Sequence, residues 1–263
     1  MSTLLQDVRF GLRMLVKAPV VSTVAALSLA LGIAANASIF AILNAFLFEP
    51  LPYRDQDGLV LMEEGPQGGA QELYGGMSVP NFRDLVAGAP SLADAMLYTV
   101  ERSNLTGMDV PEQVNVVAGT PNLLEVLGVA PALGRGFRPE EGAEGRGSVV
   151  VLEHDFWQRR FLGDPDVLGR TVMLDGTVST ILGVLPESFD MIPANVDIFR
   201  PTDFEAQRGD RRTRGYLAFG RLAPGASIEQ AAREVRRAWT DLAAAYPDAN
   251  RGLDVRTLGL GDF

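Results

Sequence analysis

A run of 31 residues without a charged side chain, from Ala18 to Phe48, constrains this chain more than any other feature. At about 1.5 Å per residue it would form a helix of about 46 Å, longer than the roughly 30 Å hydrocarbon core of a bilayer. Positions 20 to 48 include fourteen Leu, Ile, Val or Phe residues. Together these favour membrane insertion by about 4 to 8 kcal/mol. The sequence therefore predicts a transmembrane helix over residues 18–48.

A cleaved signal peptide is the alternative interpretation of this run. Ala35, Asn36 and Ala37 form the small-x-small pattern at which a signal peptidase cuts. A signal peptide, however, has an apolar core of about 7 to 15 residues followed by polar mature sequence. Here apolar sequence continues through Phe48, so we expect the helix to be retained. A mature N-terminus at Ser38 would contradict this expectation.

Small residues recur on the predicted helix with the spacing of a packing face. One strip is made of alanines and a second strip contains a glycine and an asparagine: Ala26, Ala30, Ala34, Ala37, Ala41 and Ala45, then Gly32 and Asn36. Small side chains let neighbouring membrane helices approach closely. We expect contacts with other transmembrane helices here, with an alanine-rich composition that has no partner helix as the alternative.

Basic residues precede the apolar run and predict its orientation. Arg9, Arg13 and Lys17 recur every four residues, which places them on one side of a short amphipathic helix over residues 1–17. Such a helix suits the lipid surface on the cytoplasmic side, although a plain basic flank is the alternative. The positive-inside rule then places residues 49–263 outside the cytoplasm. We therefore expect an inner-membrane protein with a cytoplasmic N-terminus and a periplasmic domain.

The charge of the remaining chain limits its partners. Residues 1–48 carry a net charge of +2 while the whole chain carries −10, which leaves −12 for residues 49–263. Phosphates would repel so acidic a domain, which argues against a nucleic-acid partner. The chain also contains no cysteine, so it has no disulfides and no thiolate sites.

Residues 49–263 show strand and short-helix patterns in irregular alternation. Asp175-Gly176 joins two apolar runs and predicts a tight hairpin. Ser227 and Gln230 form a capping box before a helical pattern that ends at Pro247. Thr120 is expected to cap a shorter helix that ends at Gly128. The irregular alternation favours an α+β fold over a doubly wound parallel sheet.

Candidate catalytic chemistry is sparse in this sequence. His154 is the only histidine, and no G-x-S-x-G elbow or set of metal ligands accompanies it. The paired carboxylates Glu63 with Glu64, and Glu140 with Glu141, are adjacent and are expected to point apart. The sequence therefore predicts no catalytic residue, cofactor or metal. A membrane-anchored hydrolase using His154 is the weakest alternative.

An arginine-rich segment, RGDRRTRG, interrupts the acidic domain at residues 208–215. It brings four arginines around one aspartate: Arg208, Arg211, Arg212 and Arg214. The segment is a candidate docking site for anionic lipid or an acidic partner, and a solvated loop is the alternative.

The order of these features resembles one family. DVRFGLRMLVKAP followed by SLALGIAANASIFAILNAFLFEPLPY is similar to the first transmembrane segment of MacB/FtsX-type ABC transporter permeases, especially the acidobacterial duplicated orphan permease subfamily. Three blocks follow in the family's order: GTPNLLEVLGVAPALGRGF, VVVLEHDFWQRRFLGDPDVLGRTVMLDGTVSTILGVLPESF and FGRLAPGASIEQAAREV.

The resemblance implies a MacB-like periplasmic core domain over residues 49–263. Its porter-like α/β part would cover about 49–139 and 215–263, interrupted by a smaller inserted subdomain at about 140–214. It also implies partners: membrane lipid, the remaining permease helices, a cytoplasmic ABC ATPase reached indirectly, and a periplasmic substrate or adaptor. The implied task is export or the transmission of motion across the envelope.

Two hypotheses for the function follow. The chain is the N-terminal part of such a permease and does not transport by itself, or it is a stand-alone periplasmic binding module tethered to the membrane. Family members continue after this domain into three further membrane helices. A coding frame that continues past Phe263 into apolar segments would exclude the stand-alone module.

Overall fold

The computed structural model describes residues 17, 19–47, 56–69, 75–108, 110–143, 148–189, 191, 195–204 and 210–260. The chain divides into two compact units, Met1–Pro50 and Leu51–Phe263. Arg9 and Arg13 of the predicted surface helix lie outside the described residues, and Lys17 is exposed. The surface helix over residues 1–17 therefore stays a prediction.

The first unit contains helix α1, Pro19–Leu47, which confirms the helical conformation predicted for most of residues 18–48. Large apolar side chains are exposed along it, among them Val20, Leu29 and Leu31, whose exposed fractions are 74%, 68% and 72%. Judged on length and apolar character, no helix among the described residues would cross a membrane.

The second unit is a mixed α/β domain. Its helices are α2 (Val79–Ala87), α3 (Leu123–Leu127), α4 (His154–Phe161), α5 (Ile228–Ala245) and α6 (Pro247–Asn250). Its strands are β1 (Leu59–Pro66), β2 (Leu92–Thr106), β3 (Glu112–Gly119), β4 (Leu133–Gly134), β5 (Ser148–Leu152), β6 (Thr171–Leu174), β7 (Thr177–Val184), β8 (Ile198–Pro201), β9 (Leu217–Leu222) and β10 (Leu253–Gly259).

These strands form one sheet in the order β10-β1-β9-β2-β3-β8-β5-β7-β4, with β6 beside β2 and β7. Among the described strands, β3 with β8 and β5 with β7 are the parallel pairs, and the other neighbours are antiparallel. The first strand lies between two strands from late in the chain, since Val60 is opposite Gly259 and Leu61 is opposite Phe219. A largely antiparallel sheet agrees with the predicted α+β class.

Side chains of β1 alternate between two cores, as the period of a strand requires. Leu59 and Leu61 pack with α3 on one face of the sheet. Val60 and Met62 pack with α2 and α5 on the other face. The sheet is therefore covered by helices on both faces at this end.

Helix α5 forms as its sequence predicts. The hydroxyl oxygen of Ser227 accepts a hydrogen bond from the backbone N–H of Gln230 at 3.2 Å. The amide of Gln230 donates to Glu234 instead of returning to Ser227, so only half of the predicted capping box is present. Trp239 is 4% exposed and belongs to the core, as the helical spacing indicates.

The predicted hairpin at Asp175-Gly176 is confirmed. It joins β6 to β7, with Leu174 opposite Thr177. Both turn residues have positive φ, 47° and 82°, which is the conformation of a type I′ turn. The side chain of Asp175 reinforces the turn by accepting a hydrogen bond from the backbone N–H of Asn104 at 2.9 Å.

The cap predicted at Thr120 is wrong, because α3 begins later. Its N-cap is Asn122, whose side chain makes no capping hydrogen bond. The N–H of Leu123 instead donates to the carbonyl of Thr120, which closes a turn before the helix. The predicted end at Gly128 is confirmed, with a left-handed φ of 72°.

The segment between β3 and β9 adds a third core beside the first two. Leu105 of β2 and residues of β3 pack in this core against Val150, Phe156, Val172 and Ile181. Strand β8 also joins this segment to β3 in parallel register. The boundaries at about 140 and 214 stay predictions.

Candidate functional site

Glu64 of β1 is the centre of a buried polar cluster and is itself only 3% exposed. The Nδ2 of Asn81 donates a hydrogen bond to its Oε1 at 2.9 Å, and the Nε of Arg214 donates to its Oε2 at 2.6 Å. Burial raises the pKa of the Glu64 carboxyl because the charged form loses its hydration. The hydrogen bond from Asn81 and the charge of Arg214 act in the opposite direction.

Asn250, the last residue of α6, connects the same side chains from the other side. Its Oδ1 accepts hydrogen bonds from Nδ2 of Asn81 and from Nη2 of Arg214, each at 3.0 Å. Arg214 also donates to the carbonyl of Ala249 at 2.7 Å. We refer to Glu64, Asn81, Arg211, Arg214 and Asn250 as the Glu64 cluster.

Arg211 completes the cluster at its outer side. Its Nη1 donates to Oδ1 of Asn81 at 2.7 Å, and its Nη2 forms an ion pair with Asp84 at 2.5 Å. Its guanidinium carbon lies 3.7 Å from the ring centroid of Tyr246, a cation–π contact. The arginine-rich segment is thus attached to α2 and to the end of α5.

Local sequence explains how these side chains come to face inward. Ser78 caps α2 by accepting a hydrogen bond from the N–H of Asn81 at 3.3 Å, which sets the start of the helix. Asp210 folds the arginine-rich segment by accepting from the N–H of Arg212 at 2.8 Å and from the hydroxyl of Thr213 at 2.9 Å. These bonds hold the pKa of the Asp210 carboxyl below its ordinary value.

The four arginines of the segment therefore have different surroundings. Arg211 and Arg214 have side chains that are 15% and 20% exposed and are engaged within the domain. Arg212 is exposed, and Arg208 lies outside the described residues. Docking of a partner or lipid at this segment stays a prediction, with Arg212 as the exposed member among those described.

His154 begins α4 and makes local contacts. Its Nδ1 lies 3.3 Å from Oδ1 of Asp155, and its ring packs edge-on against Trp157 with centroids 5.6 Å apart. Among the described residues, no group of three or more His, Asp or Glu side chains could hold a metal ion. These contacts suit a packing role for His154.

Glu63 and Glu64 point apart, as expected, and the same expectation for Glu140 and Glu141 stays a prediction. Glu63 pairs with Arg256 on β10 at 2.5 Å, whereas Glu64 turns toward the cluster. Glu141 accepts hydrogen bonds from both terminal nitrogens of Arg135, at 2.9 and 2.6 Å. Glu63, Glu64 and Glu141 thus each pair with a different arginine.

The small residues of α1 are exposed where the structure describes their side chains, namely Ala26, Ala30, Gly32, Ala34, Asn36 and Ala37. The side chains of Ala41 and Ala45 lie outside the described residues. Packing of this face on other helices stays a prediction.

The Glu64 cluster was not found by sequence analysis. Its members come from four separated stretches, and Asn81 is 169 residues from Asn250. A signal was nevertheless present, because Glu64 sits in an apolar strand, LVLMEE, where a buried carboxylate needs a partner.

Comparisons with solved structures agree on the fold. A domain of a putative permease protein from Porphyromonas gingivalis aligns with a TM-score of 0.59 and 16% identity, covering 79% of this chain and 92% of that one. The periplasmic region of MacB from Actinobacillus actinomycetemcomitans gives 0.60 and 12%, covering 82% and 94%. The extracellular domain of the noncanonic ABC-type transporter YknZ, from Gram-positive bacteria, gives 0.53 and 14%, covering 75% and 98%.

Comparison with family models assigns the chain to a family, whereas the solved structures show only the fold. No curated protein matches the chain. The family model of the MacB-like periplasmic core domain matches residues 22–238, most of the chain. The more detailed assignment to the acidobacterial subfamily stays a prediction. The chain therefore belongs to the family of the MacB-like periplasmic core domain, the periplasmic domain of MacB/FtsX-like ABC transporter permeases.

Proposed function

We propose that this chain is the N-terminal part of an ABC transporter permease in the bacterial inner membrane. Residues 18–48 cross the membrane and residues 49–263 lie in the periplasm. The observation that carries the proposal is the family match, which begins at residue 22, inside α1, so the helix and the domain belong to one family unit. The membrane-spanning role rests on the sequence, through the uncharged run and its basic flank.

The proposed task of this unit is to couple a cytoplasmic ABC ATPase to events in the periplasm, either export or mechanotransmission. The remaining permease helices would supply the contact with the ATPase, and α1 would connect them to the domain. Hydrogen bonding inside the domain supports the proposal. The Glu64 cluster joins β1, α2, the arginine-rich segment and α6 through buried hydrogen bonds. We expect the elements joined in this way to move together when the attachment of the domain moves.

Orientation can be tested with single cysteines, because the chain has none of its own. Ala244→Cys places a thiol on the exposed surface of α5, and Ser2→Cys places one near the N-terminus. A membrane-impermeant maleimide added to intact spheroplasts should label the first variant, and the second only after lysis. Labelling in the reverse order would overturn the proposed topology, and release of the protein by alkaline carbonate would overturn the membrane helix.

Coupling can be tested in the complete permease assembled with its ATPase. A fluorophore on Ala244→Cys should report an ATP-dependent change in the periplasmic domain. Inserting about twelve Gly and Ser residues between Phe48 and Glu49 should abolish this change while ATP hydrolysis continues, since a flexible linker does not transmit force. The same insertion after Gly225, in the exposed turn before α5, is the matched control. An ATP-dependent change that survives the first insertion would contradict coupling through α1.

A further inference from the structure

The arginine-rich segment is fastened to the domain through the side chain of Arg214. Its Nε donates to Oε2 of Glu64 at 2.6 Å, and its Nη2 donates to Oδ1 of Asn250 at 3.0 Å. The side chain of Glu64 has no exposed surface, whereas that of Arg214 is 20% exposed. The ion pair therefore closes the segment over a carboxylate that water does not reach.

The chain has an attachment of its own on each side of this ion pair. Arg211 pairs with Asp84 of α2, and Tyr216 exchanges backbone hydrogen bonds with Met77. Residues 212–215 lie between these two attachments at the surface of the domain. Loss of the ion pair would free this stretch while its two ends stay in place.

Glu64 is the carboxylate that forms an ion pair with Arg214 within the described part of the chain. Nearby carboxylates have other partners: Glu63 with Arg256, Asp254 with Arg236, Asp84 with Arg211, and Asp210 with backbone and hydroxyl donors of its own segment. The remaining charged or titratable groups on the elements packed around Glu64 are exposed: Arg83, Arg212, Tyr246 and Asp248.

A neutral Glu64 would leave Arg214 without its counter-charge. The guanidinium stays protonated in proteins, so its charge would remain in a position that is largely shielded from water. Because Arg214 belongs to a stretch at the surface, it can regain hydration by moving outward. The neutral carboxyl stays covered and keeps Asn81 as a hydrogen-bond partner. Detachment of Arg214 is therefore the less costly arrangement once Glu64 is neutral.

The direction of the pH dependence follows from the same contacts. Burial raises the pKa of the Glu64 carboxyl, while the hydrogen bond from Asn81 and the charge of Arg214 lower it. Detachment removes the contribution of Arg214, so the pKa of the covered carboxyl is higher in the detached state than in the attached state. A proton binds more tightly to the state with the higher pKa, and lowering the pH therefore favours detachment.

We propose that Glu64 and Arg214 form an acid-sensitive clasp, in which neutralisation of the Glu64 carboxylate releases residues 212–215 from β1 and α6. Release turns Arg214 toward solvent on the same short stretch as Arg212, so the cationic surface of the segment grows at low pH. The inference goes beyond the proposed coupling role, and its test needs neither ATP nor the remaining permease helices.

Gly215→Cys provides the position for a probe, because Gly215 is exposed and an added Cβ would meet no described atom within 4 Å beyond its chain neighbours. A nitroxide on this cysteine, in the full chain in lipid nanodiscs, reports the mobility of the segment by electron paramagnetic resonance. We expect the mobile fraction to rise reversibly by at least about twofold between pH 8 and pH 5. A nitroxide at Ala244→Cys on the exposed side of α5 should show no such rise. Equal mobility at Gly215→Cys at the two pH values would overturn the proposal.

Two further substitutions in β1 decide which carboxyl is responsible. Glu64→Gln is neutral at both pH values and should show the mobile fraction of the acid form throughout. Glu63→Gln should titrate like the parent chain, because Glu63 pairs with Arg256 instead. Tryptophan fluorescence checks folding, and the titration of the parent chain keeps the test valid if Glu64→Gln does not fold. A folded Glu64→Gln variant that still titrates, or that stays immobile at both pH values, would contradict the role given to Glu64.

Discussion

Two arginines in this domain form ion pairs of similar geometry in very different surroundings. Arg214 lies 2.6 Å from Glu64, whose side chain is fully buried. Arg159 of α4 lies 3.0 Å from Asp197 and 3.2 Å from Glu112, but its own side chain is 56% exposed. Water can replace the partners of Arg159, whereas it cannot reach the carboxylate that Arg214 neutralises. Burial, more than distance, therefore sets what each pair contributes to stability.

The largest expected effect comes from breaking the buried pair. Arg214→Gln should lower the free energy of unfolding by about 3 to 5 kcal/mol at pH 8, because Glu64 is left charged in the interior. Urea unfolding followed by tryptophan fluorescence measures this loss. Arg212→Gln removes an exposed charge from the same segment and should change stability by less than about 0.5 kcal/mol. Equal effects of the two variants would contradict the comparison.

The cost of Arg214→Gln should depend on pH. Burial already raises the pKa of Glu64, and removing Arg214 takes away an interaction that lowers it. A carboxyl with a raised pKa in the folded state destabilises that state when it is ionised. The loss of unfolding free energy is therefore small below the unfolded-state pKa and grows as pH rises through the folded-state pKa. Unfolding at pH 5 and pH 8 should therefore show the smaller loss at pH 5. Adding Glu64→Gln to this variant should remove most of the difference between the two pH values.

Asn81→Leu is expected to have an intermediate effect. Asn81 donates to Glu64 and Asn250 and accepts from Arg211, so the change leaves several buried polar atoms without their partner. We expect a loss of about 2 to 3 kcal/mol, which is the cost of unsatisfied buried groups and is smaller than that of an unpaired charge. Asn104→Leu at an exposed asparagine is the control. The measurement is the midpoint of urea unfolding at pH 7, and a loss below that of the control would refute the role given to Asn81.

The smallest effect is expected at the exposed pair. Arg159→Ala should cost about 0.2 to 1 kcal/mol, and added salt should reduce this difference because exposed charges are screened. Unfolding midpoints in low salt and in about 0.5 M NaCl measure it. A loss as large as that of Arg214→Gln would show that the exposed and buried pairs do not differ as their solvation indicates.

Features fixed by neighbouring residues could be predicted from the sequence. The hairpin at Asp175-Gly176, the helix after Ser227 and the end of α3 at Gly128 each depend on a few adjacent residues. The start of α3 was missed because Asn122 and Thr120 both suit a cap. The amide of Asn122 instead donates to Asp94 at 2.7 Å, a contact made 28 residues away.

The buried polar contacts were harder to predict because they also join residues that are distant in sequence. Arg214 meets Glu64 across 150 residues of sequence, so nothing near either residue identifies its partner. The side-by-side placement of Thr120 and Thr202 depends on the parallel register of β3 and β8. Sequence patterns report which groups are available, whereas the sheet order decides which of them meet.

The position of β1 between β9 and β10 governs when the domain can fold. During synthesis β1 is made before both of its neighbours, so Leu61 must wait for Phe219 and Val60 must wait for Gly259. Closing such long loops before any contact stabilises them is slow, and both edges of β1 stay open to other chains meanwhile. The cores on the two faces of β1 can therefore be completed only after β9 and β10 have been made, which makes protection of the unfolded chain a condition of assembly at this end of the domain.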